Sequence, residues 1–173
     1  MDRSPEEKLL LYVARTSMSK EATREIRAIA CGKPDWVHFV RRARQEGIAP
    51  LAYWNFRKIG VKNVIPDAIM HKLRQDYCST FCLNMIRFKE LGDLLRVLKD
   101  DGIEVILLKG AALAEIAYPG VGLRPMEDFD LLVRRENMPR FAQRLHQSGY
   151  RFIPFAEGYS EAFSIRFKAR VLY

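Results

Sequence analysis

The sequence predicts an α+β protein. An N-terminal helical region over residues 1–100 is followed by a small mixed β-sheet flanked by helices over residues 101–173. Three observations carry that prediction. In the first hundred positions apolar residues recur at three- and four-residue steps, the period of helices buried on one side. Two short apolar runs, Val105–Leu108 and Leu131-Leu132-Val133, then stand close together; the first is too brief for a buried helix and is bounded by glycine. Finally, Phe163, Ile165, Phe167, Ala169 and Val171 alternate with Ser164, Arg166, Lys168 and Arg170, the pattern of a half-buried strand. Its apolar face needs a partner, and the same sheet is the expected one.

The first helix starts at a capping box, Ser4-Pro5-Glu6-Glu7, with proline at the first helical position and Leu9, Leu10 and Val13 inward. A second, near residues 20–30, buries Ala22, Ile26, Ile29 and Ala30 and stops at Gly32. A third, near residues 35–46, puts Trp36, Phe39, Val40 and Ala43 on one face and ends at Gly47. Pro50 opens a shorter fourth helix with Leu51, Trp54 and Ile59, closed by Gly60. From Pro66 a long pattern runs through Ile69, Leu73, Tyr77, Phe81, Met85, Phe88, Leu91, Leu95 and Leu98. Unbroken to Lys99 it would be about 50 Å long, bracing the earlier helices against the sheet, with Ser79-Thr80 as the place for a bend. Residues 134–149 read as a helix with Phe141, Ala142 and Leu145 inward, and residues 150–153 as a short strand.

With 173 residues, about half of them hydrophobic, the chain is one full-sized domain or a small one with a helical extension. A net charge of +8 and a pI near 9.6 favour anionic partners such as nucleotide phosphates or nucleic acid, with a simply basic surface as the equal reading. The Arg41-Arg42-Arg44 cluster is assigned to a solvated helix face, because no aromatic residues interleave for base stacking. Three cysteines, Cys31, Cys78 and Cys82, fit a reducing compartment and no disulfide partner. Cys78 and Cys82 lie one helical turn apart without a second Cys or His pair to complete a zinc site, so they are assigned to core packing. The charged N-terminus lacks the apolar stretch of a signal peptide, and the longest apolar run, residues 9–14, is too short to span a bilayer. A cytoplasmic protein with no membrane partner is therefore expected.

The chemistry concentrates between Val105 and Val133. After the first apolar run, Lys109-Gly110 breaks the strand, residues 111–118 read as two turns of helix, and Pro119-Gly120 ends it. A loop carrying Arg124 leads to Asp128-Phe129-Asp130 and the second apolar run. Residues i and i+2 of a strand share a face, so Asp128 and Asp130 project side by side. Two carboxylates held that close repel, and a hard divalent cation is the usual reason for such a pair. Alone, an Asp-x-Asp is more often a solvated turn; between two apolar strands, with a basic small-residue turn beside it, it reads as a site.

This arrangement resembles the nucleotidyltransferase superfamily of DNA polymerase β and the aminoglycoside nucleotidyltransferases. It resembles more closely the uncharacterised bacterial nucleotidyltransferase-like family. The resemblance is carried by Leu108-Lys109-Gly110-Ala111-Ala112-Leu113, Tyr118-Pro119, Gly122-Leu123-Arg124-Pro125, and Asp128 through Val133 with its Asp-x-Asp-Leu-Leu-Val pattern. The resemblance implies transfer of a nucleoside monophosphate from an NTP to an acceptor, which could be a small molecule, a protein or RNA. It assigns Asp128 and Asp130 as catalytic metal ligands for Mg²⁺ or Mn²⁺. Lys109, Gly110, Ala111 and Arg124 become nucleotide-binding residues: Gly110 lets the backbone approach phosphate, the amides opening the Ala111 helix add a favourable dipole, and Lys109 and Arg124 supply cations.

One departure bears on activity. Active members of the superfamily carry a third carboxylate on a later strand, whereas residues 163–171 contain no acid, and Glu157 and Glu161 precede them. Members of the closer family also run on further, so a C-terminally truncated copy with an incomplete αβ core and impaired transfer is the expectation. The alternative is a non-catalytic nucleotide-binding or basic interaction module that keeps the fold.

Overall fold

The computed structural model describes residues 3–61, 63–152 and 167–168. Four short helices open the chain: α1 (Pro5–Val13), α2 (Lys20–Cys31), α3 (Trp36–Gln45) and α4 (Ala49–Lys58). The first three begin where a side-chain oxygen satisfies an otherwise unpaired amide. Ser4 accepts from the Glu7 N–H while the Glu7 carboxylate accepts from the Ser4 N–H, Ser19 accepts from Ala22, and Asp35 accepts from His38. Each such cap contributes about 1 kcal/mol.

α4 has no side-chain cap and is held by burial instead: Ala49, Pro50, Leu51, Ala52, Tyr53, Asn55 and Phe56 are all buried. Its sequence predicts a one-sided helix facing inward through Leu51 and Trp54. Trp54 is only half-buried, and Tyr53 and Phe56 fill the core instead. The reason is tertiary, since α1, α3 and α5 (Asp67–Asp100) all pack against α4. At the centre, Trp36, Phe39 and Phe56 meet with ring centroids 5.7 to 6.2 Å apart, 5.8 Å between Trp36 and Phe39.

α5 runs through Ser79 and Thr80 as one helix of 34 residues, about 50 Å long. Its first half sends Ile69 and Leu73 into the core made by α1 to α4. Its second half sends Leu91, Leu94 and Leu98 into the layer beneath the strands. Between the two, Phe81 and Met85, expected inward, are 41% and 49% exposed, and the buried residue at that level is Asn84. Helical geometry explains the exchange. Tyr77, Asn84, Leu91 and Leu98 are seven residues apart and drift about 20° per step, whereas four-residue steps to Phe81 and Met85 swing about 40° each. Cys78 and Cys82 lie farther round still and are exposed, which corrects their assignment to the core; they and Cys31 are free.

β1 (Val105–Leu108) pairs antiparallel with β2 (Asp130–Val133) in the register Val105↔Val133, Ile106↔Leu132, Leu107↔Leu131 and Leu108↔Asp130. α6 (Lys109–Ile116) follows β1 directly, and α7 (Met138–Gln147) follows β2 after a 3₁₀ turn at Arg135–Asn137. Val105, Leu131 and Val133 pack with Leu94, Leu98, Phe141 and Leu145, so α5 and α7 cover one face of the ladder. α7 is fastened to the end of α5 by Arg144, which donates to both carboxylate oxygens of Asp101, and by Arg140, which donates to the Asp101 carbonyl at 2.6 Å.

β3 (Arg151–Phe152) and β4 (Phe167–Lys168) form a second antiparallel ladder. The strand expected over residues 163–171 was assigned to the sheet of β1 and β2. Its described part, Phe167 and Lys168, pairs with β3 instead, the strand nearest to it in the chain. The rest of that stretch, with Glu157 and Glu161, lies outside the described residues. Among the described residues no helix is long and apolar enough to cross a membrane.

Candidate active site

The strand-to-helix turn is abrupt. Leu108 is extended, and Lys109, the first residue of α6, has a φ of 45°. That left-handed torsion costs a residue with a side chain about 1 kcal/mol. The sequence singles out Gly110 for what its missing Cβ allows, yet the strained torsion belongs to its neighbour. A Cβ at Gly110 would meet only Met126 Cγ, at an ordinary 3.8 Å. Packing therefore does not demand glycine there. No side chain caps the first turn of α6, so its leading amides stay available to an acceptor. The Ala111 methyl is buried with Leu91, Ala114 and Met126 and seats the helix.

Burial alternates along the approach to β2. Phe129, Leu131 and Val133 pack inward, while Asp128 is exposed and Leu132 is 52% exposed. Asp130 and Leu132, two apart in β2, thus fall on the face turned away from α5 and α7, and Asp128 lies exposed just before the strand. Since Asp130 stands opposite Leu108, it lies beside the turn, and Lys109 Nζ donates to Asp130 Oδ1 at 3.1 Å. The side chain of Asp130 is 34% exposed and that of Lys109 73%, so this ion pair sits at the solvent edge.

Arg124 is held differently. Its loop, between α6 and β2, is seated on the middle of α5, with Leu123 and Met126 buried. Asn84, fully buried, donates from Nδ2 to the carbonyls of Val121 at 2.6 Å and Arg124 at 2.8 Å. Gly122 lies so close to α5 that an added Cβ would stand 3.0 Å from both Phe81 Cβ and Tyr77 Cε2. Among the described residues the Arg124 guanidinium forms no ion pair, with Asp128 and Asp130 or any other acid, and its buried Nε has no hydrogen bond. It is a cation not neutralised by a carboxylate within that set.

Carboxylates are hard oxygen donors, and magnesium is commonly held by one or two such groups, with water and substrate phosphate completing its shell. The donor set of Asp128 and Asp130 fits that demand. Among the described residues no group of three or more His, Cys, Asp or Glu gathers to hold a metal alone.

An open cleft lies elsewhere, lined by Leu95, Lys99, Val105, Ile106, Leu132 and Arg134 among others. It is at the opposite end of the β1–β2 ladder, about 10 Å from Asp130 at the rise of a strand. Its Arg134 is paired with Glu104 at 3.2 Å. At the other end of the ladder the start of α6 and Lys109 meet Asp130. Of the arginines of α3, Arg42 pairs with Glu46 and Arg44 with Asp76, both at 2.9 Å, and Arg41 lies against the His38 ring, in keeping with a solvated face.

Sequence reasoning named the Lys109-Gly110-Ala111 turn, Arg124 and the two acids but missed Asn84. The available signal was a polar residue on the seven-residue line of Tyr77, Leu91 and Leu98.

These features define an α+β domain of the nucleotidyltransferase class: a strand, an abrupt turn into a helix, and a second strand led by two acids. The model of the uncharacterised nucleotidyltransferase family matches residues 32–169, and the chain belongs to that family. The match takes in α3, α4 and α5 as well as the strands, so the helical brace is part of what the family shares. Comparison with curated proteins and with solved structures gives no match.

Proposed function

We propose that this nucleotidyltransferase family member binds an NTP as its complex with Mg²⁺ or Mn²⁺ and transfers the NMP group to an acceptor hydroxyl, releasing pyrophosphate. The observation that carries the reading is the meeting of the β1–α6 turn with Asp130, seen in the 3.1 Å contact from Lys109. Asp128 and Asp130 hold the cation, which when bound neutralises phosphate charge and orients the α-phosphorus for attack. The uncapped amides of α6 face the triphosphate, and Gly110 keeps side-chain bulk away from it. Arg124, whose planar fork suits two phosphate oxygens, supplies the cation that no protein carboxylate claims among the described residues. Residues 1–100 serve as the scaffold, residues 101–173 carry the site, and the setting is the bacterial cytoplasm.

A second reading is favoured by one observation: among the described residues no group of three or more His, Cys, Asp or Glu gathers, so no third carboxylate joins Asp128 and Asp130 there to take the acceptor proton. Without such a base, transfer loses about 10²–10⁴-fold, and the chain works as a nucleotide-binding module. Calorimetry with each NTP and Mg²⁺, beside transfer of radiolabelled NMP to acceptors in a cell extract, separates the two. Asp130→Asn abolishes metal-dependent NTP binding under both readings. Labelling that Asp130→Asn removes establishes the transferase, binding without labelling establishes the module, and no binding by the wild-type chain refutes both.

A further inference from the structure

The Arg124 loop rests on α6 through Met126, but the side-chain hydrogen bonds to its carbonyls come from farther away in the chain. Its anchor is Asn84, 37 residues earlier than Val121 and 40 earlier than Arg124. Asn84 is the only polar side chain besides Asn55 that is buried among the described residues, and the two are used alike. Asn55 Nδ2 donates to the carbonyls of Val13 at 2.9 Å and Arg15 at 2.8 Å, pinning the chain where α1 ends. In each case one amide group ties two nearby carbonyls of a distant loop to a long-range helix contact. A buried carbonyl left unpaired is costly, so this twofold donation fixes loop geometry as apolar packing alone does not.

We infer that Asn84 is a positioning residue for Arg124: it sets where the guanidinium stands without touching nucleotide itself. Three details support the assignment. The donated bonds flank Gly122, whose close approach to Tyr77 and Phe81 fits the loop to the helix from the other side. One of them ends on the carbonyl of Arg124 itself, so the anchor lies one residue's length from the guanidinium stem. Asn84 Oδ1 and Arg124 Nε, an acceptor and a donor, are both buried and unbonded inside the protein, so the orientation of the Asn84 amide is dictated by the two carbonyls alone. Because α5 also fills the core of α1 to α4 through Ile69 and Leu73, the same helix ties the Arg124 loop to the N-terminal helices.

This inference rests on the nucleotide-binding reading above, so its test has two readouts. Asn84→Ala and Gly122→Ala are made in the full chain, with circular dichroism to establish that each folds. In hydrogen exchange, the amides of residues 121–124 and 126 exchange faster in both variants, while those of residues 67–75 on α5 hold their wild-type protection. Calorimetry with Mg²⁺-ATP is then run as a double-mutant cycle. Asn84→Ala and Arg124→Ala each weaken binding by about tenfold, the scale of one charge-assisted hydrogen bond, and the double variant is no weaker than Arg124→Ala. Additive losses overturn the inference, since Asn84 would then act other than through Arg124. Unchanged exchange at residues 121–124 and 126 also overturns it, whatever the nucleotide data. If the wild-type chain binds no nucleotide, the functional reading and the nucleotide half of this inference fall together, and the exchange data alone decide whether Asn84 holds the loop.

Discussion

Lys109 offers the sharpest quantitative test of the site, because one residue combines a strained torsion with a contact to the candidate cation ligand. Its ammonium lies 3.1 Å from Asp130 Oδ1, where two unit charges in a water-like dielectric attract by about 1.3 kcal/mol. Both side chains are partly in solvent, 73% and 34% exposed, so side-chain entropy and screening leave a net about 0.5–1 kcal/mol. A divalent cation binding Asp130 has to displace that ammonium. Lys109→Met and Lys109→Gly are therefore both expected to bind Mn²⁺ about two- to fivefold more tightly than wild type in the absence of nucleotide, followed by electron paramagnetic resonance of the free ion. The two variants differ in the backbone. Methionine keeps the cost of a φ of 45°, and glycine relieves about 1 kcal/mol of it, so Lys109→Gly melts about 2–4 °C above Lys109→Met. Mn²⁺ affinity unchanged or reduced in both variants would refute the competition, and with it either the Lys109–Asp130 contact or the role of Asp130 as ligand.

Gly110→Ala is expected to melt within about 0.5 kcal/mol of wild type, since its Cβ meets only Met126 Cγ at 3.8 Å, yet to bind Mg²⁺-NTP at least about tenfold more weakly in calorimetry; normal nucleotide affinity would remove Gly110 from the site. Asp101 gives a pH dependence. Hydrogen bonds from Arg144, joined by attraction to Arg144 and Arg140, hold its carboxyl below the usual aspartate range. The folded value being lower than the unfolded one, this stabilisation is complete above about pH 4 and is lost as pH falls through the folded value. Thermal melts from pH 6 down to pH 2 should therefore show Asp101→Asn less stable than wild type at the upper end and converging with it at the lower end; a constant difference across that range would contradict the linkage.

The pieces legible in the sequence were those set by near neighbours. The Ser4-x-x-Glu7 capping box, the apolar steps through Ile69, Leu73, Leu91 and Leu98, and the brief run Val105–Leu108 depend on residues within a turn or two, so local pattern reveals them. The strand that begins at Asp130, with Leu131 inward, is legible in the same way from its two-residue period. Only the tertiary structure decided the rest, and in each case the deciding partner is distant in the chain. α4 is buried almost all round because three helices converge on it. Phe81 and Met85 yield the inner line of α5 to Asn84, whose partners are 37 and 40 residues away. The strained torsion falls on Lys109, which meets Asp130 21 residues on, and β4 pairs with β3 rather than with β1 or β2. A polar residue serving a remote backbone carbonyl leaves no periodic trace, because what makes it necessary is a loop that only the folded chain brings beside it.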